Sequence, residues 1–203
     1  INAFALPGGY IGINSGLMVA AESESELASV VAHEIGHVMQ RHIARGMTQS
    51  SQSSAIMMAS LAGALLAALA GSGDLAMGVA AFGQAAAVDQ RLGFSRQAEQ
   101  EADRVGFDMM KRAGYDPRGM LDMFNRLSNV ARLNEGAGGN VYTRTHPLSI
   151  QRMSDIENRA RAIPAEPRRD NPTFWYLRAK LRIMEARDGV ARTVFAVGDE
   201  KQS

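Results

Sequence analysis

Apolar and polar positions change period several times along this chain, and each change marks an element. Residues 2 to 6 and 10 to 14 cluster apolar side chains on either side of Pro7-Gly8-Gly9. That pattern predicts two short strands joined by a tight turn, with Gly16 ending the hairpin. From residue 24 the period becomes helical, and Leu27, Val30, Val31, Ile35, Val38 and Ile43 form one stripe. Ser23 is the N-cap, Glu26 completes a capping box, and Gly46 is placed to stop a helix over 24–45. Residues 46–73 carry no charged side chain, and the stretch from Ala55 to Gly71 is rich in Ala, Leu, Met and Gly. A second Ala/Gly-rich run continues to Val88, so two helices joined at Gly71-Ser72-Gly73 are expected. Further helices are predicted over 95–113 (capped by Ser95, stopped near Gly114), 117–133 and 148–162. A Gly-rich loop over 134–140 precedes a new element at His146-Pro147. Three prolines with mixed charge over 164–172 read as a linker, followed by an amphipathic helix over 174–187 and a turn at Asp188-Gly189.

The chain's 203 residues, 46% of them hydrophobic and 21% charged, suit one domain, or one domain and the start of another. A formal net charge of +1 without a basic run excludes a nucleic-acid stripe. Cysteine is absent, which excludes disulfides, thiolate metal ligands and cysteine nucleophiles. Any bound metal must be held by His and carboxylates. The opening at Ile1, directly into strand-like sequence, suggests a processed or trimmed chain whose targeting segment lies upstream.

The chemistry centres on His33-Glu34-Ile35-Gly36-His37. Histidines at i and i+4 lie one turn apart on one helix face, so both imidazoles can reach a single ion, with Glu34 beside them to work on a bound water. A catalytic site needs a third protein ligand and an open position. Glu99 is the leading candidate, with Asp103 on the same face as hydrogen-bond partner to a ligand histidine. Glu101 is the rival ligand, and a solvated acidic face is the plain alternative. His146, before a proline and after a Gly-rich stretch, could stabilise an oxyanion or cap the metal as a reversible fourth ligand. Arg152 could serve the oxyanion instead, or bind substrate backbone. His42, five residues after His37, falls off the ligand face and reads as structural.

Taken together, Asn2-Ala3-Phe4-Ala5 with its following glycines, the HExxH at His33 to His37, Ser95-Arg96 with ExxxD at Glu99 to Asp103, and His146-Pro147-Leu148-Ser149 with Arg152 resemble the HtpX/CAAX-prenyl-protease-type zinc metallopeptidases. The match is closest to the periplasmic BepA-type branch of Gram-negative bacteria and covers about residues 1–163. The resemblance implies an α+β, mostly helical, zincin-type (gluzincin) fold with a small edge hairpin near the HExxH helix. It implies one Zn2+ per chain on His33, His37 and Glu99, Glu34 as general base and Asp103 as supporting partner. It further implies that Tyr10, Ile11, Gly12, Ile13 and Asn14 form an edge that pairs with extended substrate. Members of that branch act in outer-membrane protein quality control, which implies a periplasmic location and polypeptide substrates drawn from outer-membrane proteins or their assembly machinery. Residues 1–163 would then be the peptidase domain, 164–172 a linker, and 173–203 at most the start of a tetratricopeptide-like region.

Other readings compete. The zinc could be structural, or the protease latent, with the chain acting as a chaperone-like binding module; an open fourth metal position discriminates. A metal-dependent hydrolase of non-peptide substrates is a third reading, and the edge strand argues against it. The run from Ala55 to Gly71 is short of the roughly 20 residues of a membrane span and lacks basic flanks. A buried or cleft-covering helix pair is expected there, with peripheral membrane contact through 55–88 as the functional variant.

Overall fold

A computed structural model describes residues 1–133, 141–164 and 170–185. Among the described residues two strands, β1 (Ala3–Leu6) and β2 (Tyr10–Ile13), precede eight helices: α1 (Ser15–Ala20), α2 (Glu24–Met39), α3 (His42–Leu69), α4 (Gly73–Arg112), α5 (Gly119–Leu133), α6 (Val141–Thr145), α7 (Ile150–Arg161) and α8 (Pro172–Glu185). Mostly helical with one small antiparallel sheet, this is the expected α+β class, and it is consistent with a zincin-type fold. The chain divides into two compact units: residues 1–36 with those from 102 onward, and residues 37–101.

In the first unit the hairpin turns at Pro7-Gly8-Gly9, where both glycines have positive φ, and Phe4 faces Gly12 across it. A Cβ at Gly12 would overlap the Phe4 ring, so the glycine leaves room for the aromatic face. Ala3, Leu17, Ala21, Val30, Met123, Leu127, Tyr142 and Phe174 close one core cluster, which ties β1 and α8 to α2. A second cluster joins Ala32, Phe107, Met110, Met120, Phe124, Ile156 and Ala160. The helix beyond the expected linker therefore packs into the same core, and Arg178 donates to the Val19 carbonyl at 3.1 Å.

The start of α2 follows the capping signal with one change. Ser23 Oγ accepts from the Glu26 amide at 3.0 Å, but the Glu26 carboxylate reaches back to the Glu22 amide, one residue before the cap. That carboxylate also receives Arg126, whose guanidinium is held well above its usual pKa by Glu26 and then Glu22. α2 and α4 approach closely through small residues. A Cβ on Gly36 would meet the Ala102 carbonyl oxygen at 2.9 Å, and one on Gly106 would meet Ala32 and the His33 amide at 3.1 Å. Ala32/Gly36 and Ala102/Gly106 are thus two i, i+4 small pairs that let the backbones touch.

The second unit corrects three expectations. The helix predicted over 24–45 ends at Met39, because Arg41 adopts a left-handed conformation (φ 53°), and a new helix starts at His42. Gly46 does not stop it: glycine costs about 1 kcal/mol in a helix interior, which a 28-residue helix tolerates. Ser95 is no N-cap, since α4 runs unbroken from Gly73 to Arg112. Nor is the Ala-rich pair a buried core element. The apolar window of α3 is only 11% buried, and Leu61, Leu65, Leu66, Leu69, Met77 and Phe82 are exposed. The expected Gly-rich loop over 134–140 and the turn at Asp188-Gly189 lie outside the described residues.

Candidate metal centre

α2 carries His33 and Glu34 in the first unit, and both are buried. His33 Nδ1 lies 2.8 Å from Asp103 Oδ1 on α4. Asp103 is held in turn by Arg152, from the first turn of α7. Nε donates to Oδ2 at 2.6 Å and Nη2 to Oδ1 at 2.7 Å, while Nη1 donates to the Pro147 carbonyl at 2.9 Å. Arg152 also stacks over Phe124, 5.0 Å from its centroid. Burial pushes the Asp103 carboxyl up, but the hydrogen bonds from Arg152 and His33 outweigh it and hold the group below the usual carboxylate range. An ionised carboxylate only accepts, so the His33 hydrogen sits on Nδ1 and Nε2 offers its lone pair. Arg152 is buried behind Asp103, with its guanidinium on the carboxylate that holds His33 and on the Pro147 carbonyl.

His146 follows α6 and stands beside this pair. Its Nδ1 is 3.4 Å from His33 Nε2, its Nε2 is 3.5 Å from Glu34 Oε1, and its ring packs on Tyr142 at 4.7 Å. The short helix places it: the His146 amide donates to the Tyr142 carbonyl at 2.8 Å.

In the second unit His37 Nε2 lies 3.3 Å from Glu99 Oε1. Glu101, the rival ligand by spacing, has other partners. It receives Arg45 at 2.8 Å and His42 Nε2 at 3.1 Å, and these hydrogen bonds, Arg45 first, hold its carboxyl low. His42 Nδ1 lies 2.9 Å from His37 Nδ1. Sequence reading misses this contact, because a continuous helix would turn His42 away.

His33 and His146 of the first unit, with His37 and Glu99 of the second, are the residues that could hold a metal ion. The donor set of three imidazoles and a carboxylate suits a borderline divalent cation. Both Glu34 oxygens are buried without a hydrogen-bond partner among the described residues, as expected of a carboxylate that faces a metal-bound water. Residues Tyr10 to Ile13 form β2, which pairs with β1 alone among the described residues, so its other edge is open to a further strand; Asn14 lies just past its end, bonded to the Asn2 carbonyl at 3.0 Å. An apolar cavity of about 510 Å³, lined by Leu27, Val31, Ile35 and Phe174, lies on a different face of α2 from the histidines and holds none of the candidate residues.

Residues 1–160 match peptidase family M48. The chain is 36% identical over 184 residues to the beta-barrel assembly-enhancing protease of Yersinia pestis, covering 91% of this chain and 37% of the relative. A Vibrio cholerae relative is 40% identical over 192 residues, 94% of this chain and 38% of its own length. The Arabidopsis thaliana mitochondrial metalloendopeptidase OMA1 is 34% identical over 152 residues, 75% of this chain and 28% of the relative. The chain thus spans under two-fifths of the length of these relatives. With His and Glu residues able to hold a metal and a family match over residues 1–160, this chain belongs to the metal-dependent peptidase family M48.

Proposed function

We propose that this domain is a zinc-dependent endopeptidase that hydrolyses unfolded or misassembled polypeptides in the bacterial envelope. The observation that carries the reading is the donor set of His33, His37, Glu99 and His146, with the buried carboxylate of Glu34, which has no hydrogen-bond partner among the described residues, 3.5 Å from His146 Nε2. His33, His37 and Glu99 would hold the metal. A bound Zn2+ supplies Lewis acidity, making water acidic and a scissile carbonyl electrophilic. Glu34 takes the proton from the attacking water and delivers it to the leaving amine. His146 donates to the developing oxyanion, and Asp103 with Arg152 keeps His33 in its ligating tautomer. The open edge from Tyr10 to Asn14 aligns extended substrate by backbone pairing.

The envelope assignment rests on relatives named beta-barrel assembly-enhancing protease, which supports outer-membrane proteins or their assembly machinery as the substrate class and the periplasm as the location. Residues 1–163 would form the peptidase domain and those beyond 172 the approach to a repeat region. The hairpin of α3 and α4 over 55–88 would touch the membrane surface. Its support is a run with one charge, Asp74 at the turn, and exposed apolar side chains on both helices.

The position of His146 favours a second reading. As a fourth ligand it would fill the site and leave the protease latent, so that the chain acts mainly as a chaperone-like binding module. Casein cleavage by zinc-loaded wild type, Glu34→Gln and His146→Ala separates the two. The peptidase reading expects cleavage that a chelator abolishes and zinc restores, and none from Glu34→Gln with its metal retained. Faster cleavage by His146→Ala than by wild type indicates latency. Cleavage by metal-loaded Glu34→Gln refutes the role of that carboxylate.

A further inference from the structure

His42 has no part in the peptidase scheme above, yet it is 5% exposed and both its ring nitrogens are engaged. Nδ1 meets His37 Nδ1 at 2.9 Å, and Nε2 meets Glu101 Oε2 at 3.1 Å, the oxygen to which Arg45 donates at 2.8 Å. The hydrogens can be assigned along this chain. A carboxylate facing a guanidinium accepts, so His42 Nε2 carries the hydrogen. In a neutral ring Nδ1 is then bare and accepts, so His37 donates from its own Nδ1. That puts the lone pair of His37 on Nε2, the atom that lies 3.3 Å from Glu99 Oε1 and that would face the metal. His33 reaches the same state through Asp103 and Arg152. In both cases a carboxylate held by an arginine fixes a ligand imidazole, directly for His33 and through a second imidazole for His37.

We propose that His42, backed by Glu101 and Arg45, is a positioning residue that fixes the tautomer and ring orientation of His37 as a metal ligand. The inference rests on the metal reading given above. Partners of this kind typically govern metal affinity by 10–100-fold. The plainer alternative is packing, since the His37 and His42 rings meet edge to face at 4.8 Å.

The test compares wild type with His42→Leu, His42→Asn and Glu101→Gln. Zn2+ affinity is read by chelator competition, thermal midpoints of the metal-free proteins establish folding, and nitrogen-15 NMR of the metal-free wild type reads the imidazole tautomers. Leucine removes the acceptor while keeping apolar bulk; asparagine removes bulk but sets Oδ1 near the position of Nδ1. Positioning predicts about 10–100-fold weaker zinc binding for His42→Leu, substantial recovery in His42→Asn, a smaller loss in Glu101→Gln, and His42 protonated on Nε2. Packing alone predicts the opposite order of Leu and Asn. Wild-type affinity in His42→Leu, or a hydrogen on His42 Nδ1, overturns the inference and leaves the metal reading standing. A wild type that takes up no zinc overturns both.

Discussion

The contact between α2 and α4 can be tested by adding one methyl group. In Gly36→Ala the new Cβ would lie 2.9 Å from the Ala102 carbonyl oxygen and 3.1 Å from its Cα. Both are backbone atoms and cannot rotate away. Carbon atoms pack at about 3.5–4.0 Å, so the helices must part locally by about 0.5 Å. Sliding does not relieve the clash, because Gly106 is pinned in the same way against Ala32 and the His33 amide. The His33–Asp103 bond, 2.8 Å long, spans this contact and would stretch to about 3.3 Å, past the usual limit near 3.2 Å. Overpacking costs about 1–3 kcal/mol, while Ala in place of a helical Gly returns about 1 kcal/mol. The net loss of stability is therefore small, about 0–2 kcal/mol. Zinc affinity should fall by about tenfold or more, because the carboxylate that orients a ligand imidazole has been pulled back. Urea unfolding of the metal-free protein and chelator competition for zinc read the two effects separately. Unchanged zinc affinity together with stability raised by about 1 kcal/mol would refute the close contact, since only the helix-propensity gain would then remain.

Three further outcomes follow from named contacts. Asp103→Asn strips the charge that compensates buried Arg152 and should cost about 3–5 kcal/mol in unfolding free energy, with zinc binding weakened as well; a loss under about 1 kcal/mol would contradict a buried pair. Arg41→Gly relieves a left-handed residue between α2 and α3 and should stabilise by up to about 1 kcal/mol in urea, whereas a destabilised variant would mean the side chain matters more than the backbone. Chelation should lower the thermal midpoint, and restoring zinc to about a thousand times its dissociation constant should return about 4 kcal/mol, equally in wild type and Glu34→Gln because Glu34 is not in the ligand set; a shift lost in Glu34→Gln would place that carboxylate on the metal.

Local periodicity made much of this legible. The strands at 3–6 and 10–13, the helix start at Ser23 and the helices of α5, α7 and α8 follow from apolar spacing and caps within a few residues. The HExxH face is legible for the same reason, since one turn of helix fixes it without reference to the rest of the chain. What spacing could not decide was the choice between Glu99 and Glu101, two residues apart on one helix. The structure separates them by partner, His37 for the first and His42 with Arg45 for the second. The signal that went unread was the pair of small residues at i, i+4 on each helix, Ala32/Gly36 and Ala102/Gly106. Their role depends on a partner helix about 70 residues away, which no local window contains.

His42 shows why a break in a helix can matter more than its regular part. Five residues along an unbroken α-helix turn a side chain about 140° off the starting face, and on that count His42 cannot serve His37. The left-handed Arg41 removes the premise. It ends one helix and starts another within two residues, and the turn brings His42 Nδ1 to 2.9 Å from His37 Nδ1. A left-handed non-glycine residue costs about 1–2 kcal/mol. A strained position retained beside a buried, hydrogen-bonded imidazole is what a functional constraint on that imidazole would produce. Arg41 and His42 are thus one device: straighten the chain at the first, and the second no longer reaches the ring it orients.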